Sequence, residues 1–169
     1  MSAPAAADLG RAAPGNSRFG LPWEWLAGLA AVLCHMEKQV IALALLLMYD
    51  TYMRPGEACG LRVRDLVLPL PGRRGHQRPA VIIAAEDTGR LTKVRERDDT
   101  VTVDDQDIAL SPHLLALARG KAADEPLLGV PTKELKEGLE EAAARLGLSQ
   151  EHLCSYQCRH GGASRDALF

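Results

Sequence analysis

The sequence predicts an α+β domain that is mostly helical and carries one small antiparallel β-hairpin. Hydrophobic residues make up 47% of the 169 residues, but aromatic residues make up only 4%, so Leu, Ala and Val must build the core. Most of the chain shows the start, stop and periodicity signals of helices. Two short runs near the middle instead have the β-branched or alternating pattern of strands. The length fits one domain.

The N-terminal segment, residues 1–20, is rich in Ala, Pro and Gly and lacks periodicity, so we expect a disordered tail ahead of a domain at 21–169. The second predicted helix is apolar on nearly every face and should be buried. Gly161-Gly162 should interrupt the last helix. The predicted helices, in order, cover residues 22–33, 37–53, 57–61, 111–119, 132–146 and 151–169. The predicted strands are AVIIAA at 80–85 and TVTV at 100–103.

Composition and charge narrow the possible functions. The longest apolar run, 40–48, is too short to span a bilayer, and no signal peptide is visible, so we expect no membrane partner. Four cysteines without framework spacing suggest reduced thiols in an intracellular protein. The net charge is −2, yet residues 54–97 hold ten basic and five acidic side chains, a local charge of +5. This segment suits either a polyanion-binding surface or a solvated loop.

Two arginine motifs lie about a hundred residues apart in the sequence. The first is RPGEACGL at 54–61, followed by DL at 65–66, and the second is YQCRH at 156–160. Arginine stays charged in any protein environment, and its planar fork matches phosphate oxygens. Two such residues suit a site that clamps one phosphodiester.

The order of these motifs resembles the catalytic domain of the tyrosine recombinase, or phage integrase, family. The shared order is a buried helix, Arg-x-x-Glu, a β-hairpin with a lysine, further helices and Arg-His, and the resemblance is strongest over 37–169. Tyrosine stands where the family usually has histidine in its second box. The matching residues are Arg54, Gly56, Glu57, Leu61, Asp65, Leu66, Thr92, Lys93, Tyr156, Arg159 and His160.

The resemblance implies DNA recombination or integration, with one DNA strand cut by a tyrosine hydroxyl and joined to it as a 3′-phosphotyrosine, without metal or cofactor. Arg54 and Arg159 would hold the non-bridging oxygens as negative charge builds on them. Lys93 would protonate the leaving oxygen. Glu57 follows Arg54 by about one helical turn and could orient it.

The second box would contribute further groups. His160 would assist proton movement, or pack behind the site as that position often does in the family. Tyr156 could donate a hydrogen bond to phosphate, but it is a poor base because phenol titrates near pH 10, and it could instead be a core residue. The basic residues proposed to contact DNA are Arg62, Arg64, Arg90, Arg95 and Arg97.

The chain departs from the family at both ends. The family's third-box His or Trp and its nucleophilic tyrosine lie downstream of the second arginine, and neither follows Arg159 here. The family's separate N-terminal DNA clamp does not fit before Glu37. We therefore expect a C-terminally truncated core that does not cut DNA alone. It would work on DNA, as an oligomer if it behaves as the family does, in the nucleus of a eukaryotic host or the cytoplasm of a bacterial one.

Two alternatives stay open. The chain could be a non-catalytic module that binds DNA or another protein. Four residues with zinc-binding chemistry also lie close together in the sequence, although one helix cannot easily wrap around an ion. They are His152, Cys154, Cys158 and His160.

Overall fold

The computed structural model describes residues 19–69, 78–83, 99–104 and 109–167. Within these residues the fold is mostly helical with a small antiparallel sheet, which confirms the α+β class. The helices are α1 Trp23–His35, α2 Gln39–Thr51, α3 Pro55–Gly60, α4 Leu110–Ala118, α5 Thr132–Arg145 and α6 Tyr156–Asp166. The strands are β1 Leu66–Val67, β2 Ala80–Ile83 and β3 Asp99–Thr102. No helix of the described ranges is long and apolar enough to cross a membrane.

The core is arranged around α2. This helix packs against α1, α5 and α6, and it buries residues around most of its circumference, as its nearly unbroken apolar sequence predicts. Helix α5 is instead amphipathic: Leu135 and Leu139 face the core, while its other face is charged. Its Gly138 lets α5 approach α2, since a Cβ there would lie 2.7 Å from Ile41 Cδ1.

The sheet has the strand order β1-β2-β3, and both pairs are antiparallel. The two predicted strands are confirmed as β2 and β3, with Val81 opposite Val101. Strand β1 was not predicted, because a strand of two residues is too short to show a period of two. It pairs Leu66 with Val81 and follows α3 after a single 3₁₀ turn at Val63–Asp65.

The last predicted helix differs from the observed structure. Residues Ser149–Glu151 form a 3₁₀ turn, His152 adopts a left-handed conformation with φ of 46°, and α6 begins only at Tyr156. The prediction that Gly161-Gly162 interrupts this helix is wrong, since α6 continues to Asp166.

The glycine pair serves helix packing instead. A Cβ at Gly161 would overlap the carbonyl oxygen of Leu21, and one at Gly162 would overlap the carbonyl oxygen of Tyr49. The two glycines therefore let the α6 backbone lie directly against α2 and the segment that precedes α1.

Candidate functional site

The first arginine is held by the start of α3. Tyr52 ends α2 in a left-handed conformation with φ of 54°, which turns the chain before Pro55 opens α3. The Glu57 carboxylate accepts a hydrogen bond from the backbone N–H of Arg54 at 2.7 Å and pairs with Arg54 Nη1 at 2.6 Å. One carboxylate thus fixes both the backbone and the side chain of Arg54.

The second arginine reaches the same carboxylate from α6. Arg159 Nη1 lies 3.9 Å from Glu57 Oε2. The side chains of Arg54, Glu57 and Arg159 are 24%, 17% and 33% exposed, so the group is accessible at one surface. The fold therefore brings the two arginine motifs together around Glu57.

Tyr156 and His160 complete this group. The Tyr156 oxygen lies near the Arg54 guanidinium, and the hydrogen bond to Glu57, together with the interaction with Tyr156, raises the pKa of Arg54 further above its ordinary value. The rings of Tyr156 and His160 lie 5.6 Å apart between centroids, at a tilt of 46°. We call Arg54, Glu57, Tyr156, Arg159 and His160 the arginine cluster.

One donor of the cluster has no acceptor among the described residues. The Nε of Arg54 is buried and makes no hydrogen bond there. An unsatisfied buried donor costs about 1–3 kcal/mol. An oxyanion that entered the cluster could supply the missing acceptor.

The other basic residues proposed from the sequence are placed differently. Lys93, together with Arg90, Arg95 and Arg97, lies outside the described residues. Arg64 Nη1 lies 2.8 Å from Asp124 Oδ1, and Arg62 donates to the Asp124 carbonyl at 3.1 Å. Asp124 therefore offsets part of the positive charge of Arg62 and Arg64, and their contact with DNA stays a prediction.

Each of the three tyrosines of the chain is engaged. Tyr49 is buried, with its ring 5.7 Å from that of Trp23. The Tyr52 hydroxyl donates to Asp166, and burial together with that hydrogen bond raises the pKa of Tyr52 well above its usual range. Tyr156 faces Arg54.

The four residues of the zinc alternative do not form a ligand set. No three His, Cys, Asp or Glu side chains in the described ranges, which include all four, come together to hold a metal. Cys158 is fully buried, and burial raises the pKa of its thiol to about 12. Because zinc takes the thiolate, this environment opposes metal binding.

A cavity of about 890 Å³ lies between α5 and residues 148–157. Phe19, Lys136 and His152 are among the described residues that line it, and no member of the arginine cluster is. The cluster is therefore a surface site rather than part of this cavity. A surface site suits an extended ligand better than an enclosed small molecule.

Sequence reasoning missed the contacts that position the cluster. The Tyr52–Asp166 hydrogen bond joins the end of α2 to the end of α6, and Arg165 lies 5.1 Å from the centre of the Trp23 ring. Neither pair has a signal in the sequence, because its partners are far apart along the chain. The Gly161-Gly162 pair does have a signal in the sequence, but that signal is typical of a helix break as well as of close packing.

No protein-family model, no curated protein and no solved structure matches this chain.

Proposed function

We propose that this protein binds DNA by holding one backbone phosphate between Arg54 and Arg159, in a domain of the tyrosine recombinase kind that serves DNA recombination or integration. The observation that supports this most directly is the meeting of the two arginine motifs around Glu57. If the two arginines were far apart in the structure, the two sequence motifs would give no reason to expect a shared site.

The charge of the cluster fits a phosphodiester. Two guanidinium groups and one carboxylate leave a net charge of +1, which a singly charged phosphate linkage balances. Arginine binds phosphate through two parallel N–H donors, and Arg54 and Arg159 are both partly exposed. The Tyr156 hydroxyl lies beside Arg54 and adds a neutral donor for the same ligand.

The same groups suit stabilisation of a transition state. In phosphoryl transfer, negative charge is spread over the non-bridging oxygens, and fixed cations lower the barrier. Glu57 fixes Arg54 in advance, so little reorganisation is needed. Lys93 keeps its proposed role as proton donor to the leaving oxygen. We assign the attacking hydroxyl to none of the three tyrosines: Tyr49 is buried, Tyr52 donates to Asp166, and Tyr156 is proposed to hold the phosphate rather than attack it.

Fluorescence anisotropy with a labelled DNA duplex at low salt tests the proposal. Arg159→Gln should weaken binding by roughly 10- to 100-fold, the worth of a charge-assisted hydrogen bond of about 1.5–3 kcal/mol. The matched control is Arg145→Gln, which removes the same charge from a residue that is 52% exposed on α5 and pairs with Glu141. This control should change the affinity little.

Two outcomes would contradict the proposal. The first is a wild-type protein that does not bind duplex DNA at low salt. The second is an equal loss of affinity in the two variants, which would assign binding to net charge rather than to the cluster. Loss of binding as salt rises is expected in either case, because phosphate contacts release counterions. A protein that binds another protein but not DNA would favour the module alternative.

A further inference from the structure

We propose that Glu57 acts as an internal counter-anion, which limits the phosphate affinity of the arginine cluster and reduces the advantage that doubly charged phosphomonoesters would otherwise have over singly charged phosphodiesters. This inference rests on the proposed function and adds the selectivity of the same site. It assigns Glu57 a role beyond orienting Arg54.

The geometry places Glu57 where a bound phosphate must compete with it. Its Oε1 lies 2.6 Å from Arg54 Nη1, and its Oε2 lies 3.9 Å from Arg159 Nη1. The carboxylate therefore already occupies one donor of Arg54 and lies near the second guanidinium. An incoming phosphate oxygen must bind the other N–H groups of the two arginines, or share Arg54 Nη1 and Arg159 Nη1 with Glu57.

The carboxylate cannot readily turn away from the cluster. Its Oε2 also accepts the backbone N–H of Arg54 at 2.7 Å, and the side chain is only 17% exposed. This contact belongs to the start of α3, where free N–H groups need acceptors. The negative charge is thus fixed beside the two guanidinium groups.

A fixed negative charge affects mono- and dianions unequally. The repulsion between Glu57 and a ligand grows in proportion to the charge of the ligand. A phosphate within a DNA strand carries one negative charge, whereas a terminal phosphomonoester carries nearly two at neutral pH. Glu57 therefore lowers the affinity for both ligands, but it lowers the affinity for the monoester more.

Glu57→Gln tests this directly in the full chain. The amide oxygen of glutamine can still accept the Arg54 N–H, so the start of α3 keeps its acceptor while the charge is removed. We expect the variant to bind a DNA duplex about fivefold more tightly or better at low salt, the effect of one unit charge about 4 Å away in water. A merely structural role for Glu57 would instead weaken binding.

The matched control is Glu137→Gln, which makes the same charge change at a side chain that is 61% exposed on α5. Its gain in affinity should be much smaller than that of Glu57→Gln. The double variant Glu57→Gln with Arg159→Gln should lose the gain. Equal gains in Glu57→Gln and Glu137→Gln, or no gain in Glu57→Gln, would overturn the inference.

A second measurement uses the wild-type protein and stays informative if Glu57→Gln does not fold. Dimethyl phosphate, a singly charged diester, and methyl phosphate, a doubly charged monoester, compete with labelled DNA at matched ionic strength. We expect methyl phosphate to compete less than severalfold better than dimethyl phosphate, because Glu57 offsets most of the advantage of its second charge. Stronger competition by methyl phosphate, by severalfold or more, would overturn the inference.

These results separate the two proposals. If wild-type protein does not bind DNA, or if Arg159→Gln binds as wild type does, the proposed function fails. If binding depends on Arg159 but Glu57→Gln is not tighter, the phosphate site stands and the selectivity role of Glu57 fails.

Discussion

In the second arginine motif, a core residue and a residue of the arginine cluster are adjacent in the sequence. The Cys158 side chain is fully buried, while the next residue, Arg159, is one third exposed and reaches the cluster. Burial disfavours the thiolate and raises the pKa of Cys158 to about 12. The residue beside the site therefore makes stability depend on pH.

Replacing Cys158 should reduce the loss of stability at alkaline pH. Below the thiol's ordinary pKa of 9.0 both folded and unfolded chains keep the proton. Above it the unfolded chain ionises first, so stability falls as pH rises towards the folded value. For one thiol this amounts to about 1 kcal/mol between pH 8 and pH 10. Urea unfolding of wild type and Cys158→Ala at both pH values measures the difference.

The two proteins are compared by the change in their free energy of unfolding between the two pH values. Their absolute stabilities are not compared, because alanine also leaves a small cavity. Burial raises the pKa of Cys59 as well, but Cys59 is the same in both proteins. A loss of stability between the two pH values that is equal in wild type and variant would contradict the buried-thiol argument.

Single residues were predictable where the pattern is local. Arg54 and Glu57 lie within one helical turn of each other, so their ion pair could be expected from spacing alone. The interaction of Tyr156 with Arg54 depends on how two distant helices pack, and no spacing rule gives it. Lys93 lies outside the described residues, so its role stays a prediction.

At the scale of elements, the contact between α6 and α2 positions the second arginine. Gly162→Ala should destabilise the protein by about 3 kcal/mol or more, because its Cβ would overlap the carbonyl oxygen of Tyr49, and backbone cannot move aside cheaply. The control is Gly56→Ala in α3, where nothing lies within 4 Å of the added Cβ. Thermal or urea unfolding measures both.

The control should be neutral or slightly stabilising, since alanine favours a helix more than glycine does. If Gly162→Ala were as stable as wild type, the close approach of α6 to α2 would be wrong, and with it the placement of Arg159.

The elements themselves were largely predictable from sequence. Helix α2 shows an apolar surface all round, and α5 shows one apolar stripe, so both their existence and their burial follow from pattern. Strand β1 exists because β2 offers it a pairing edge, which is a tertiary cause. The late start of α6 follows from the left-handed turn at His152. Such a conformation is uncommon for a residue other than glycine and is hard to predict from sequence.

At the scale of the whole molecule, none of the three tyrosines is placed as a free nucleophile beside the proposed phosphate site. We expect that supercoiled plasmid DNA mixed with the purified chain stays supercoiled and that no covalent protein–DNA product forms. The reason is that Tyr49 is buried, Tyr52 donates to Asp166, and Tyr156 is proposed to hold the phosphate through its hydroxyl rather than to attack it. Agarose gels after protease treatment, with a known nicking enzyme as a positive control, measure this.

Relaxed plasmid, or DNA retained by protein under denaturing conditions, would contradict that expectation. It would also identify a nucleophile, since Tyr→Phe variants at the three positions would show which hydroxyl forms the bond.

The packing of α6 also has a consequence for timing during synthesis. Leu21 donates its backbone N–H to the Gln157 carbonyl at 2.9 Å, and Gly20 lies against Gly161, so α6 joins segments that are synthesised long before it. A growing polypeptide carries Arg54 already paired with Glu57, but it gains the second guanidinium only when α6 emerges and docks. The nascent chain therefore cannot bind a phosphate with both arginines until α6 has left the ribosome.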